Sequence, residues 1–109
     1  MSELRSRYDV VVSQTAEDDL MSAAKYIAYE LGDKSAASNL IDKFDALVKR
    51  LETLPSAYPY VREEIAASSG YQWAYVGNYL ALFQTFELSK TVLIVRFVYK
   101  KSDYARFIC

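Results

Sequence analysis

Thr91-Val-Leu-Ile-Val-Arg96-Phe-Val-Tyr99-Lys100-Lys101-Ser-Asp103-Tyr104 is the stretch on which the fold turns. Its first nine residues are mostly Val, Leu, Ile and Phe. β-branched and aromatic side chains suit a pleated surface, so this is read as a strand. Arg96 interrupts the apolar run and needs a partner or a wet face, because a buried unpaired guanidinium is costly. Beyond Tyr99 the chain leaves through two lysines. The stretch is therefore a strand whose far end is polar and available for function.

Working upstream, Tyr71, Trp73 and Tyr75 alternate with Gln72, Ala74 and Val76, and Tyr79–Leu88 is a second apolar run. Gly77-Asn78 between them fits a two-residue hairpin turn, and Leu88–Thr91 turns into the opening strand. Before these lies an irregular segment, Pro55–Glu64. Two helices precede it. Ala16, Leu20, Ala23, Ala24, Ile27 and Leu31 recur at helical spacing, predicting a helix of about 17 residues. Ser13 and Thr15 both fit as its N-cap, with Thr15-x-x-Asp18 a loose capping box. Gly32 ends it, and Asp33 can cap the next helix at once. The second helix carries the stripe Ala37, Leu40, Ile41, Phe44, Leu47, Val48, Leu51 and Leu54, and Pro55 stops it. Tyr8–Ser13 is a short leading strand with Tyr8, Val10 and Val12 on one face. Residues 1–7 are expected to fray, and Tyr104–Cys109 to add a short tail.

The order is β-α-α-β-β-β. A helical hairpin followed by a meander predicts an α+β domain spanning residues 1–109, with both helices packed on one face of a small antiparallel-rich sheet. The opposite face need not be covered, which would leave it for a partner or substrate.

Composition narrows the functions. The chain has 109 residues, 52% hydrophobic and 25% charged, with a net charge of −1. That is not the balance of a strong nucleic-acid binder. Charge is uneven: residues 15–54 hold eight acids against five bases, whereas from Ser89 onward five bases meet one acid. An anionic ligand would thus meet the C-terminal end. With no histidine, Ser-His and Cys-His nucleophiles and His-based metal sites are excluded. The three glycines form no phosphate loop, so no cofactor or metal is expected. Cys109 stands alone and cannot form an internal disulfide, in keeping with a reducing cytoplasm. No signal pattern or spanning apolar run is read.

Several short motifs, taken together, resemble those of the RelE/ParE superfamily, toxins of bacterial type II toxin–antitoxin modules also known as plasmid stabilisation proteins. They are Tyr8-x-Val-x-Val-Ser13-x-x-Ala16-x-x-Asp19-Leu20, Tyr26-Ile27, Ala36-Ala37, Leu54-Pro55, Val76-Gly77-Asn78-Tyr79 and Arg96-x-x-Tyr99-Lys100-Lys101-x-Asp103-Tyr104. The resemblance covers residues 8–108. It implies a growth-arresting toxin neutralised by a cognate antitoxin laid across the helical hairpin and sheet. RelE-like members are mRNA interferases that cleave transcripts on the ribosome, whereas ParE-like members inhibit DNA gyrase. Metal-independent RNA cleavage needs a 2′-OH deprotonated, a phosphorane stabilised and a leaving oxygen protonated.

The resemblance places the candidate catalytic set at Arg96, Lys101, Tyr99 and Tyr104, with Glu63 a further carboxylate. Two basic positions of the RelE branch fall on Leu80 and Gln72, which are uncharged. Each candidate also has a structural reading. Arg96 could pair with Glu87 on the neighbouring strand, Lys100 and Lys101 could be solubilising charges, and Tyr99 and Tyr104 could pack at the sheet edge. Three activities remain open: a ribosome-dependent mRNA endonuclease, a gyrase inhibitor without nuclease activity, and an inert relative that only binds antitoxin. The oligomeric state is open as well.

Overall fold

The computed structural model describes residues 7–61 and 70–101. Strand β1 (Asp9–Val12) leads into α1 (Gln14–Lys25), which continues as a single π-helical turn, Tyr26–Glu30. Helix α2 (Lys34–Leu51) and a short 3-10 turn (Pro55–Ala57) follow, then β2 (Tyr71–Val76), β3 (Tyr79–Phe86) and β4 (Thr91–Tyr99). The sheet runs β1-β4-β3-β2, with β2-β3-β4 an antiparallel meander and β1 added parallel to β4. The α+β order expected from the sequence is the one observed.

The local signals act as their chemistry suggests. Ser13, not Thr15, caps α1: its hydroxyl accepts from Ala16 N–H at 3.0 Å. Asp33 caps α2 through Ala36 N–H at 2.9 Å. Gly32 sits at φ +66°, the left-handed conformation that ends a helix without a Cβ clash. Gly77 has φ +60° and Asn78 does not share it, so glycine occupies the first central position of the tight β2–β3 turn, where a type II′ hairpin requires it.

Both helices cover one sheet face. Leu20 of α1 and Leu40, Phe44, Leu47 and Leu51 of α2 pack on Val76, Phe83, Val92, Ile94 and Phe97. Two predicted stripe residues depart from this. Leu54 lies past the end of α2 and is exposed. Leu31 is 60% exposed because the π turn adds a residue to the helical turn: its N–H reaches back five residues to Tyr26 O at 3.2 Å. That rotates Leu31 off the face that Ile27 occupies.

The opposite sheet face is not bare. Leu80, Leu82 and Val98 are buried there with Val61, flanked by Tyr71, Trp73 and Val95. Val61 arrives on a segment that lengthens the sheet beyond β2, with Val61 N–H to Tyr71 O at 2.8 Å and Trp73 N–H to Pro59 O at 3.1 Å. Strand β3 is thus buried on both faces, which is why it reads as a continuous apolar run.

One irregularity positions the end of β4. Leu82 pairs with Arg96 but Phe83 pairs with Ile94, so Val95 is an extra residue on β4. This bulge reverses the side-chain alternation. Val92 and Ile94 face the helices before it, and Phe97 does so after it.

Candidate functional site

The bulge falls where β1 stops. Val12 pairs with Ile94 as the last register pair of β1 and β4. From there the start of α1 supplies the edge partners. Ser13 N–H donates to Ile94 O at 2.9 Å, and the Ser13 hydroxyl donates to Val95 O at 3.0 Å. The Asp19 carboxylate then accepts from Phe97 N–H at 3.0 Å and from Arg96 Nε and Nη2 at 2.7 and 3.1 Å. A bidentate carboxylate–guanidinium pair is among the stronger charge-assisted contacts. The expected Arg96–Glu87 pair is therefore corrected. Glu87 instead accepts from the Tyr8 hydroxyl at 2.8 Å and lies 3.5 Å from Lys90 Nζ. Asp19 sits 77 residues from Arg96 in the chain, and helical spacing on α1 gave no hint that it faces the strand edge.

Tyr99 lies three positions after Arg96, an odd step, so regular alternation after the bulge puts them on opposite faces of β4. Tyr99 joins an aromatic chain on the helix side. It meets Tyr79 edge-on at 5.6 Å, Tyr79 stacks on Phe97 at 5.1 Å, and Phe97 meets Phe44 edge-on at 5.5 Å. Lys100 and Lys101 are exposed in the turn that follows, and Lys100 N–H is tied to Asn78 O at 2.9 Å. The structure thus separates Arg96 from Tyr99 rather than gathering them around one point. Tyr104 and Glu63 lie outside the described residues.

Sequence reasoning missed Tyr79 and Tyr26. Tyr79 faces Tyr99 directly in the β3–β4 register, and the Gly77-Asn78 turn was the available signal for that placement. Burial raises the Tyr79 phenol above the ordinary tyrosine value, and the nearby Tyr99 and Tyr26 phenols push it further. It is a neutral hydrogen-bonding group at physiological pH. Tyr26, Ile27, Leu31, Asn78, Tyr79 and Tyr99 line an open cavity of about 530 Å³. A smaller one of about 220 Å³, bounded by Lys43 and Asn39 of α2, shares Ile27, Asn78 and Tyr79 with it. The two make one trough along the junction of helices and hairpin tip.

Leu80 and Gln72, the positions where the resemblance implies bases in the RelE branch, are both buried. Leu80 is 5% exposed within the second cluster. Gln72 is 1% exposed, and its amide Nε2 donates to Pro55 O at 2.9 Å and Tyr58 O at 3.2 Å. Its Oε1 accepts from the Thr85 hydroxyl at 2.6 Å. Among the described residues no group of three metal-ligating side chains occurs, and no helix is long and apolar enough to cross a membrane.

A family model described as the ParE toxin of the type II toxin–antitoxin system parDE matches residues 10–104. The chain belongs to the ParE toxin family. Solved structures carry the same fold. The chromosomal ParDE toxin–antitoxin system of P. aeruginosa aligns with a TM-score of 0.66 at 16% identity, over 85% of this chain and 96% of that one. The RelBE2 toxin–antitoxin complex of Mycobacterium tuberculosis gives 0.56 at 21% identity, over 90% and 97%. The archaeal RelE–RelB complex of Pyrococcus horikoshii OT3 gives 0.56 at 13%, over 87% and 97%. No curated protein matches this ParE-family chain. As a member of the family it is a toxin of a type II toxin–antitoxin module.

Proposed function

We propose that this ParE-family toxin acts by binding rather than by cleaving RNA, that its target is DNA gyrase, and that a cognate antitoxin neutralises it. The observation that carries the reading is the state of the two positions where an RNA-cleaving relative would place bases. Leu80 is buried against Leu82 and Val98, and the Gln72 amide is committed to two backbone carbonyls and the Thr85 hydroxyl. Neither can stabilise a phosphorane. Arg96, engaged by Asp19, serves at least in part to fix the bulged strand. Lys100, Lys101 and Tyr99 then act as contacts at a binding edge rather than as acid and base. The three similar structures are toxin–antitoxin systems, which supports an antitoxin as the neutralising partner here.

The test is induction of the toxin in cells, with plasmid supercoiling and transcript ends read in the same culture, beside purified gyrase. Blocked supercoiling with intact transcripts is expected. Cleaved transcripts with normal supercoiling would establish the ribosome-dependent nuclease reading, with Arg96, Lys101, Tyr99 and Tyr104 as its residues. Harmless expression without antitoxin would make the chain an inert relative.

A further inference from the structure

The fold covers its sheet edges unevenly. The outer side of β2 is covered through Trp73 by the Pro59–Val61 segment, and the β4 edge beyond β1 is covered by Ser13 and Asp19. Strand β1 is the other edge of the sheet. Asp9 and Ser13 turn their N–H groups inward, to Lys90 O and Ile94 O at 2.9 Å each, whereas Tyr8 N–H turns outward to Glu52 O at 2.8 Å. By that alternation Val10 and Val12 direct N–H and C=O outward, where they meet no hydrogen-bond partner among the described residues. Natural edge strands are commonly blocked by Lys, Pro or a bulge. Val10-Val11-Val12 carries none of these. Val10 and Val12 pack on the helix side, so Val11 points to the opposite face, where it is 47% exposed.

The register selects the occupant. Two β1 strands paired antiparallel and symmetric about Val11 set Val10 of each copy opposite Val12 of the other. Both residues direct their polar groups outward, so each such pair exchanges both of its N–H···O=C bonds. Val11 then takes the closely spaced position against Val11 of the second copy, at about 4.5 Å between Cα atoms. Apolar β-branched side chains opposed in this way reinforce a sheet.

Charge agrees with the same register. Ser13 of one copy falls opposite Asp9 of the other, which brings the start of α1 beside the chain just before β1. The first turn of α1 carries Glu17, and Asp18 follows it. At the start of β1 stand Arg7, 62% exposed, and the last turn of α2 with Lys49 and Arg50, where Glu52 meets Tyr8. One two-fold axis thus sets acidic against basic ends at both sides of the pair.

We infer that β1 is a self-association edge: a second copy of this chain pairs antiparallel with it and joins two four-stranded sheets into one, with the two β4 ends directed opposite ways. Strands of four residues bury less than a standard interface, so the dimer dissociates on dilution. The pairing is independent of what the toxin acts on.

The test is sedimentation velocity of the purified full-length toxin over a wide concentration range, with amide hydrogen exchange read by NMR at the same concentrations. A monomer–dimer equilibrium is expected, in which the Val10 and Val12 amides gain protection as the dimer forms. Val11→Lys opposes two like charges at the axis and should weaken self-association about tenfold or more. Val11→Thr, still β-branched, should pair nearly as well as the wild type. Circular dichroism checks that the Lys variant is folded, and the wild-type amide readout carries the test should it not be. A monomer at every concentration, or a dimer that leaves the Val10 and Val12 amides unprotected, would overturn the inference. Protection that appears only when the antitoxin is added would assign the edge to that protein and overturn it as well.

Discussion

Asp19 holds Arg96 through both carboxylate oxygens, at 2.7 Å from Nε and 3.1 Å from Nη2, and the same Oδ2 accepts the Phe97 N–H at 3.0 Å. The contact stands where β1 has ended and the β4 edge would otherwise lack a ladder partner. One side chain of α1 thus replaces a strand. Both side chains are under a third exposed, at 26% for Arg96 and 18% for Asp19, so the pair is less screened than a surface bridge. Replacing Asp19 with Ala removes the acceptor of the Phe97 N–H and takes the carboxylate away from the Arg96 guanidinium. The expected loss is about 2 kcal/mol, read as a lower urea midpoint with an unchanged slope. Asp19→Asn keeps an acceptor and should lose less. A stability for Asp19→Ala equal to the wild type would show that the edge is held by something else.

Gln72 is a clamp between the sheet and the segment after α2. Its two donor contacts go to carbonyls of Pro55 and Tyr58, and its acceptor contact comes from Thr85. Glutamate has nearly the same shape but cannot donate. Gln72→Glu therefore sets a buried carboxylate against two carbonyl oxygens, whereas Gln72→Leu only leaves partners unpaired. Leu should cost about 2 kcal/mol and Glu more at neutral pH. The Glu variant should regain part of the loss below the carboxylate range, where protonation restores one donor. Chemical denaturation of the two variants at neutral and acid pH checks both order and direction.

Placing an arginine at position 80 should not make this chain a nuclease. Leu80 is 5% exposed between Leu82, Val98 and Val61. A guanidinium there is buried in an apolar cluster, at a cost of about 3 kcal/mol or more. Leu80→Arg is expected to lower soluble yield and thermal stability without producing transcript cleavage on induction. Cleavage by that variant would mean that the second face opens readily to RNA.

The fold was legible in the sequence wherever a residue acts through its own backbone. Gly32, Asp33, Pro55 and Gly77 each announced a boundary because φ, capping or ring closure is a local matter. The alternation in β2 was legible because one face meets the helices. The π turn was not, since Ile27 and Leu31 have the spacing of an α-helix and nothing in that spacing marks the extra residue. Nor was the bulge, because Val95 extends an apolar run without marking it. The candidate site suffered most from distance in the chain: no local pattern encodes that Asp19 reaches Arg96, or that Tyr26 and Tyr99 line one cavity. The strand end singled out by its lysines is part of the trough margin. Its arginine is tied to Asp19 on the other face.

Alkaline pH should weaken the fold through Tyr79. Burial, and then the neighbouring Tyr99 and Tyr26, raise its folded pKa above the unfolded value. The folded state therefore holds the phenol proton more tightly than the unfolded chain does. Its contribution is fully present below the unfolded value near 10, and is lost as pH rises from there through the folded pKa. Lys90 shifts upward too, chiefly through its hydrogen bond to the Tyr8 hydroxyl, and its contribution fades over the corresponding alkaline range by the same sign. Melting temperature should be flat up to about pH 9.5 and fall above it. Tyr79→Phe keeps the stack on Phe97 and removes the phenol, so its fall should be shallower while the part due to Lys90 remains. Parallel melts of the wild type and the Phe variant from pH 8 to 11 decide the matter. Superimposable curves would mean that the Tyr79 phenol is as free to ionise in the fold as out of it, and that the trough floor is wetter than its burial implies.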